Sequence, residues 1–359
     1  MKARFLLAAP LLAAAALALA PPASAGPGLL VGVDDDSLKW YTQTRALVSI
    51  YRDLGVGAVR VTLGWQPGEW APTRTDRQAL NRVNAAAWGM RVVVAVTGPA
   101  AQPPLDDASR TTYCNYVADV LRMYPAFDDV VIWTEPNSPQ FWQPQAGAPA
   151  AYEALLARCW DTLHAVRTHV NVIAASAPHQ DPAAWFKGLG AALRASGRTQ
   201  PLFDTVGHNA YPMNSAESPS AHHRKGQIDE GDYDRLLRAL RKGFAGTAQP
   251  LPGNAGVTIW YMEDGFQTRV DATRRVYSGF ETDTHAVAEA DQATRLAAAV
   301  REAACQPLVG AFFNFELRDE TSLAGWQSGV LRADWTIKPS YPAFRGAIED
   351  VRAGRVACN

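Results

Sequence analysis

The sequence has few of the features that announce a metalloprotein, a membrane protein or a nucleic-acid binder. Its four cysteines, Cys114, Cys159, Cys305 and Cys358, lie far apart, so no pair has the spacing of a zinc site. Lysine and arginine (34) nearly cancel aspartate and glutamate (35), for a net charge of −1. Neither nucleic acid nor an anionic membrane is favoured as a partner. Past residue 25 no run is long and apolar enough to span a bilayer. The loop after the first predicted strand reads Asp34-Asp35-Asp36-Ser37. It lacks the glycines of a phosphate-binding turn and its acids repel phosphate, which argues against a doubly wound nucleotide fold. A glycine-flanked serine elbow is also missing, which argues against a serine hydrolase. His222 and His223 are an adjacent pair on a polar loop; such a pair is read as solvent-exposed, and no metal is expected.

What is present begins with Met1-Lys2-Ala3-Arg4, a mostly apolar run to Ala20, and Ala23-Ser24-Ala25. That order predicts a signal peptide over residues 1–25 and a secreted protein. Pro10, Pro21 and Pro22 interrupt the run, and no cysteine follows it, so neither a membrane anchor nor a lipoprotein is expected. Over residues 26–359, β-rich runs alternate eight times with stretches of helical period. Strands are predicted over 29–34, 58–64, 90–97, 129–135, 171–177, 204–211, 257–263 and 308–316. Helices are predicted over 40–54, 76–88, 108–124, 149–168, 182–195, 229–243, 286–304 and 339–351. With no linker or composition break, this rhythm predicts a single-domain α/β protein, a (β/α)8 TIM barrel. Four cysteines in an exported chain suggest two disulfides. Adjacency in the barrel favours Cys114–Cys159 and Cys305–Cys358 among the three possible pairings.

Two of the strands end in a glutamate. One reads Val130-Val131-Ile132-Trp133-Thr134-Glu135-Pro136-Asn137, and the other Val257-Thr258-Ile259-Trp260-Tyr261-Met262-Glu263. The C-terminal strand ends form the active face of such a barrel. Pro136 is expected to hold Glu135 in an extended backbone. Two carboxylates on one rim are the equipment for cleaving a glycosidic bond. The loops 137–148, 212–227 and 264–285 are long and are expected to build the cleft. Asp34, at the end of the first strand, is read as a hydrogen-bonder to substrate. Trp65 and Trp142 either stack on sugar or anchor loops.

With these motifs in place, the chain resembles the clan A retaining glycoside hydrolases, barrel enzymes that include the cellulase and β-xylosidase families. Trp133-Thr134-Glu135-Pro136 is similar to the Asn-Glu-Pro that carries the acid/base at the end of strand four. Glu263-Asp264-Gly265-Phe266-Gln267-Thr268 looks like the Glu-x-Gly-Trp-x-Thr around the nucleophile of family thirty-nine. The resemblance covers residues 26–359 in topology but only these short motifs in residues. It implies cleavage of O-glycosidic bonds of a poly- or oligosaccharide by double displacement, with Glu263 as nucleophile and Glu135 as acid/base. It also implies a carbohydrate partner, no cofactor and a monomer. Arg60 is implied as a contact of the nucleophile; on the residues alone it equally fits a structural ion pair. The family's His-x-Tyr on strand six is met by Tyr211, while either His208 is displaced by one residue or Asn209 stands in its place. Thr134 departs from the family's Asn, which reaches the hydroxyl beside the anomeric carbon. That departure points to lowered activity, or to the alternative of a non-catalytic glycan-binding barrel. On strand eight, Phe313 or Phe315 stands where relatives place a sugar-stacking Trp.

Overall fold

The run Arg91-Val92-Val93-Val94-Ala95-Val96-Thr97 is apolar on both faces, and all but its ends are buried, as a strand between two apolar layers requires. A computed structural model of the protein describes residues 28–358 except Trp88 and Ala272. The expected leader, residues 1–25, and Trp88, the expected end of the second helix, lie outside the described residues. The strands are β1 (Leu30–Asp34), β2 (Ala58–Gly64), β3 (Arg91–Thr97), β4 (Asp129–Ile132), β5 (Asn171–Ala174), β6 (Thr205–Asn209), β7 (Thr258–Asp264) and β8 (Val309–Phe315). They form one closed barrel in chain order, with β8 parallel to β1. Around it run α1 (Ser37–Trp40), α2 (Thr44–Leu54), α3 (Arg74–Ala86), α4 (Asp107–Met123), α5 (Ala148–Val166), α6 (Pro182–Ser196), α7 (Tyr233–Phe244), α8 (Glu289–Ala304) and α9 (Ser340–Arg352). This is the expected (β/α)8 barrel.

Strand alternation divides the core. Along β3, Val93 and Ala95 fill the barrel, while Val92, Val94 and Val96 face the helices. The interior also holds Val131, Ile173, Met262 and Phe313. Phe313 fits because β1 carries Gly32, where a Cβ would fall 2.6 Å from its ring. Phe313 is therefore core, not a sugar platform. The cap residues Thr73 and Asp106 each accept from the third backbone N–H of their helix, and Asp76 and Ser109 return the bond. The first predicted helix, 40–54, begins instead at Thr44: the short α1 before it stops where Tyr41 turns extended and packs edge-on against Trp335. Both disulfides pair as expected, Cys114–Cys159 joining α4 to α5 with Cα atoms 4.9 Å apart, and Cys305–Cys358 at 5.3 Å. Each contributes about 2–4 kcal/mol by restricting the unfolded chain.

The end of β4 corrects one expectation. The ladder stops at Ile132, and Trp133 (φ 64°) and Glu135 (φ 38°) are both left-handed. Pro136 therefore does not keep Glu135 extended. The Glu135 carbonyl accepts from Ser138 N at 2.8 Å, closing a turn, and the packing of Trp133 overrides the local preference. The Trp133 ring is buried against Trp65, Tyr113 and Trp142, with ring centroids 5.4–6.4 Å apart, and its Nε1 donates to the Phe141 carbonyl at 2.8 Å. Gly98 leaves room for this cluster: a Cβ there would lie 2.9 Å from the Trp133 ring. Trp65 and Trp142 are wholly buried, so both anchor the turn that carries Glu135, and neither stacks on a ligand.

Candidate active site

Glu263 lies one residue before the end of β7. Its carboxylate accepts from Arg60 Nη1 at 2.7 Å and from Tyr211 Oη at 3.1 Å. Arg60 reaches it from β2, is 2% exposed, and also pairs with Asp34 of β1. Burial pushes the Tyr211 phenol well above its ordinary pKa, with Glu263 adding to the effect, so the hydroxyl keeps its proton and donates. Glu135 stands on the turn after β4 and accepts from Asn209 Nδ2 at 2.7 Å. Burial first, then the charge of Glu263, raises its pKa from 4.5 to about 7, against the opposing effects of Asn209 and Arg60. One carboxylate is thus bound to a cation and a phenol, and the other is held near neutrality.

Both glutamates line a cleft of about 400 Å³ at the C-terminal ends of the strands. The three long loops supply its walls: Gln140 and Phe141 from the first, Asn214 and Ser215 from the second, Gln267 and Asp283 from the third. A larger cavity of about 880 Å³ opens at the other end of the barrel, among Arg91, Asn171, Asp204 and Thr258. Size does not choose between them; paired carboxyls with opposed environments occur at the smaller one.

Strand six is resolved by a register shift between His208 and Asn209, which sets Asn209 level with Glu263. Asn209 and Tyr211 thereby face the mouth. His208 is turned away and wholly buried. Its Nδ1 accepts from Ser176 Oγ at 2.8 Å and its Nε2 lies 2.7 Å from the Ile228 carbonyl. Because a carbonyl only accepts, the proton sits on Nε2, and burial lowers the pKa to about 4. His208 is a structural residue. Asp34 is also corrected: it is 5% exposed and lies behind Arg60, outside the residues that line the cleft. Thr134 is half-buried beside Glu135 and is not among the residues that line the cleft.

Of the two phenylalanines expected as a platform on strand eight, Phe315 reaches the cleft and Phe313 does not. Phe315, two residues beyond Phe313 and on the same side of β8, emerges at the mouth. There it meets Tyr211 and Trp326, with centroids 6.2 and 5.3 Å away. Trp326 comes from the loop between β8 and α9, whose length was the available signal. Its neighbour Gln327 is held by buried Lys338, which donates to the Gln327 carbonyl at 2.9 Å and to Asp319 at 2.6 Å. His179, after β5, was missed as well. It lines the cleft, and its Nδ1 lies 3.0 Å from Gln227 Oε1.

His222 is exposed as expected, but His223 is not. It sits among Asp229 (2.9 Å), Glu217 (3.0 Å) and Asp232 (3.2 Å). Burial opposes its protonation, but these carboxylates outweigh burial and raise its pKa. Its Nε2 faces Glu217 and its Nδ1 faces Asp229 and Asp232.

The closed eight-stranded parallel barrel is a fold shared with solved glycoside hydrolases. No protein-family model matches the sequence, and no curated protein is similar to it. Among solved structures it is similar to a family 39 glycoside hydrolase from Bacteroides cellulosilyticus WH2 (14% identity, 91% of this chain and 64% of that one, TM-score 0.64). It is also similar to a monomeric β-xylosidase from Caulobacter crescentus CB15 (16%, 91% and 69%, TM-score 0.60). A third is a β-galacturonidase from Eisenbergiella tayi crystallised with galacturonate (12%, 86% and 48%, TM-score 0.55). The chain spans less than two thirds of the first and third of these proteins. At such identities the likeness is one of fold.

Proposed function

We propose that this protein is a secreted retaining glycoside hydrolase acting on β-linked sugars, with residues 26–359 as one catalytic unit. The reading is supported most by one observation: Glu263 is bound by Arg60 and Tyr211, while Glu135 across the same cleft is held near neutrality. Glu263 attacks the anomeric carbon as Glu135 protonates the departing oxygen; Glu135 then takes a proton from the water that releases the sugar. Asn209 positions Glu135, and Tyr211 and Arg60 hold the Glu263 carboxylate in place by hydrogen bonds. Two of the three named neighbours are described as a β-xylosidase and a β-galacturonidase, and the first of these two as monomeric, which supports the linkage and a monomer. The two disulfides support an oxidising compartment. A second reading, a glycan-binding barrel without turnover, is favoured by Thr134 where the resemblance implies Asn. The test is a 2-deoxy-2-fluoroglycoside panel with peptide mapping. A covalent sugar on Glu263 supports hydrolysis. Glycan binding with no adduct and no turnover supports the second reading.

A further inference from the structure

The charge of the cleft narrows the substrate. Its lining includes the carboxylates of Glu135, Glu263 and Asp283 and, among the described residues, no lysine or arginine. The nearest guanidinium, Arg60, is buried and already committed to Asp34 and Glu263. Asp283 is fixed as part of the wall: its Oδ2 accepts from Ser215 Oγ at 3.3 Å and its Oδ1 from His285 N at 2.8 Å. Of the lining imidazoles, His179 is held towards its neutral form by burial, and His285 lies on the exposed loop beside Asp283. Two buried lysines are already held by acids, Lys39 by Asp36 (2.7 Å) and Lys338 by Asp319 (2.6 Å).

A sugar carboxylate is ordinarily received by a free Arg or Lys. Here it meets the carboxylates of Glu263 and Asp283 in a partly desolvated site, with no lysine or arginine among the lining residues. By contrast, Gln140, Asn214 and Gln267 offer amides that suit hydroxyls, and Trp326 with Phe315 offers an apolar surface. We propose that this cleft takes an uncharged glycoside and rejects uronosides because of their charge, a proposal that rests on the glycosidase reading above. It separates this chain from its structural neighbour described as a β-galacturonidase.

The test compares kcat/KM of the full-length protein, at pH 7, on aryl β-glucoside, β-galactoside and β-xyloside with the β-glucuronide and β-galacturonide. The corresponding uronamides, which keep the size and lose the charge, are the control. One uncompensated like-charge pair at about 6 Å and an effective dielectric of about 20 corresponds to about 100-fold. The uronides are expected to be at least about that much poorer than the best neutral sugar, with the matching uronamide recovering most of the loss. A uronide handled as well as the neutral sugars overturns the proposal and leaves the glycosidase reading intact. A uronamide rejected as strongly as the uronide also overturns it, because size then decides. Should no glycoside turn over, saturation-transfer NMR with free glucose, galactose, xylose, glucuronate and galacturonate reads the same preference without catalysis. Signals from the neutral sugars alone support the proposal. Equal signals from the uronates overturn it. No signal from any sugar overturns both the sugar cleft and the proposal.

Discussion

Replacing Glu135 by Gln is expected to make the fold more stable at neutral and alkaline pH while removing the acid/base. The folded protein holds the Glu135 carboxyl at a pKa of about 7, through burial and the charge of Glu263, against an ordinary 4.5. Below about pH 4.5 the group is neutral both folded and unfolded, so it costs nothing. Between about 4.5 and 7 the unfolded chain ionises while the fold retains the proton, and stability falls. Above 7 the penalty is complete. A difference of about 2.5 units corresponds to about 3 kcal/mol; because several interacting charges set this value, about 1–3 kcal/mol is expected. Gln keeps an oxygen to accept from Asn209 and does not titrate. Its advantage should therefore be absent near pH 4.5, grow through pH 7 and level off above it. Urea midpoints of both proteins from pH 4 to 8.5 measure this. In activity, E135Q should lose turnover of alkyl and simple aryl glycosides yet still react with a dinitrophenyl glycoside, whose leaving group needs no proton. An advantage equal at pH 4.5 and pH 8 would trace the effect to packing. A variant less stable than wild type at pH 8 would refute the argument outright.

Arg60→Met leaves Asp34 and Glu263 without their shared cation; a loss of about 3–5 kcal/mol by urea unfolding at pH 7 is expected, with turnover abolished. Thr134→Asn, whose side chain is one bond longer, should raise kcat on whatever glycoside is turned over; no change or a loss would mean the site is built around Thr. Trp326→Ala should raise KM several-fold with little change in unfolding midpoint, because Trp326 is half-buried at the mouth. Trp65→Ala should do the reverse, costing about 3–5 kcal/mol of stability because it empties the cluster around Trp133; thermal melts and Michaelis kinetics on both variants separate the two.

Features that depend on neighbours in sequence were legible from the residues. The β-branched runs announce buried parallel strands because both their faces are apolar. The helical stripes place Cys114 and Cys159 on consecutive helices, which a barrel sets side by side. Glu135 and Glu263 stand where strands give way to loops. Less was legible where two distant segments compete for one space. Trp65, Trp142 and Phe313 have the composition of ligand-stacking residues, and packing alone makes them core. Trp326 and His179 sit on loops without a periodic pattern, so nothing local aimed them at the cleft.

The sequence by itself determined the eightfold alternation, the rim on which the two carboxylates stand and the cysteine partners, because each follows from periodicity and chain order. Only the tertiary structure decided that Glu135 rides on a left-handed turn braced by Trp133 and that a register shift presents Asn209 in place of His208. It alone placed Arg60 between Asp34 and Glu263. The physical reason is the same in all three. A side chain's orientation at a strand end, and its ionisation, depend on which remote groups exclude water from it and which oppose its charge. Those groups come together only when the barrel closes.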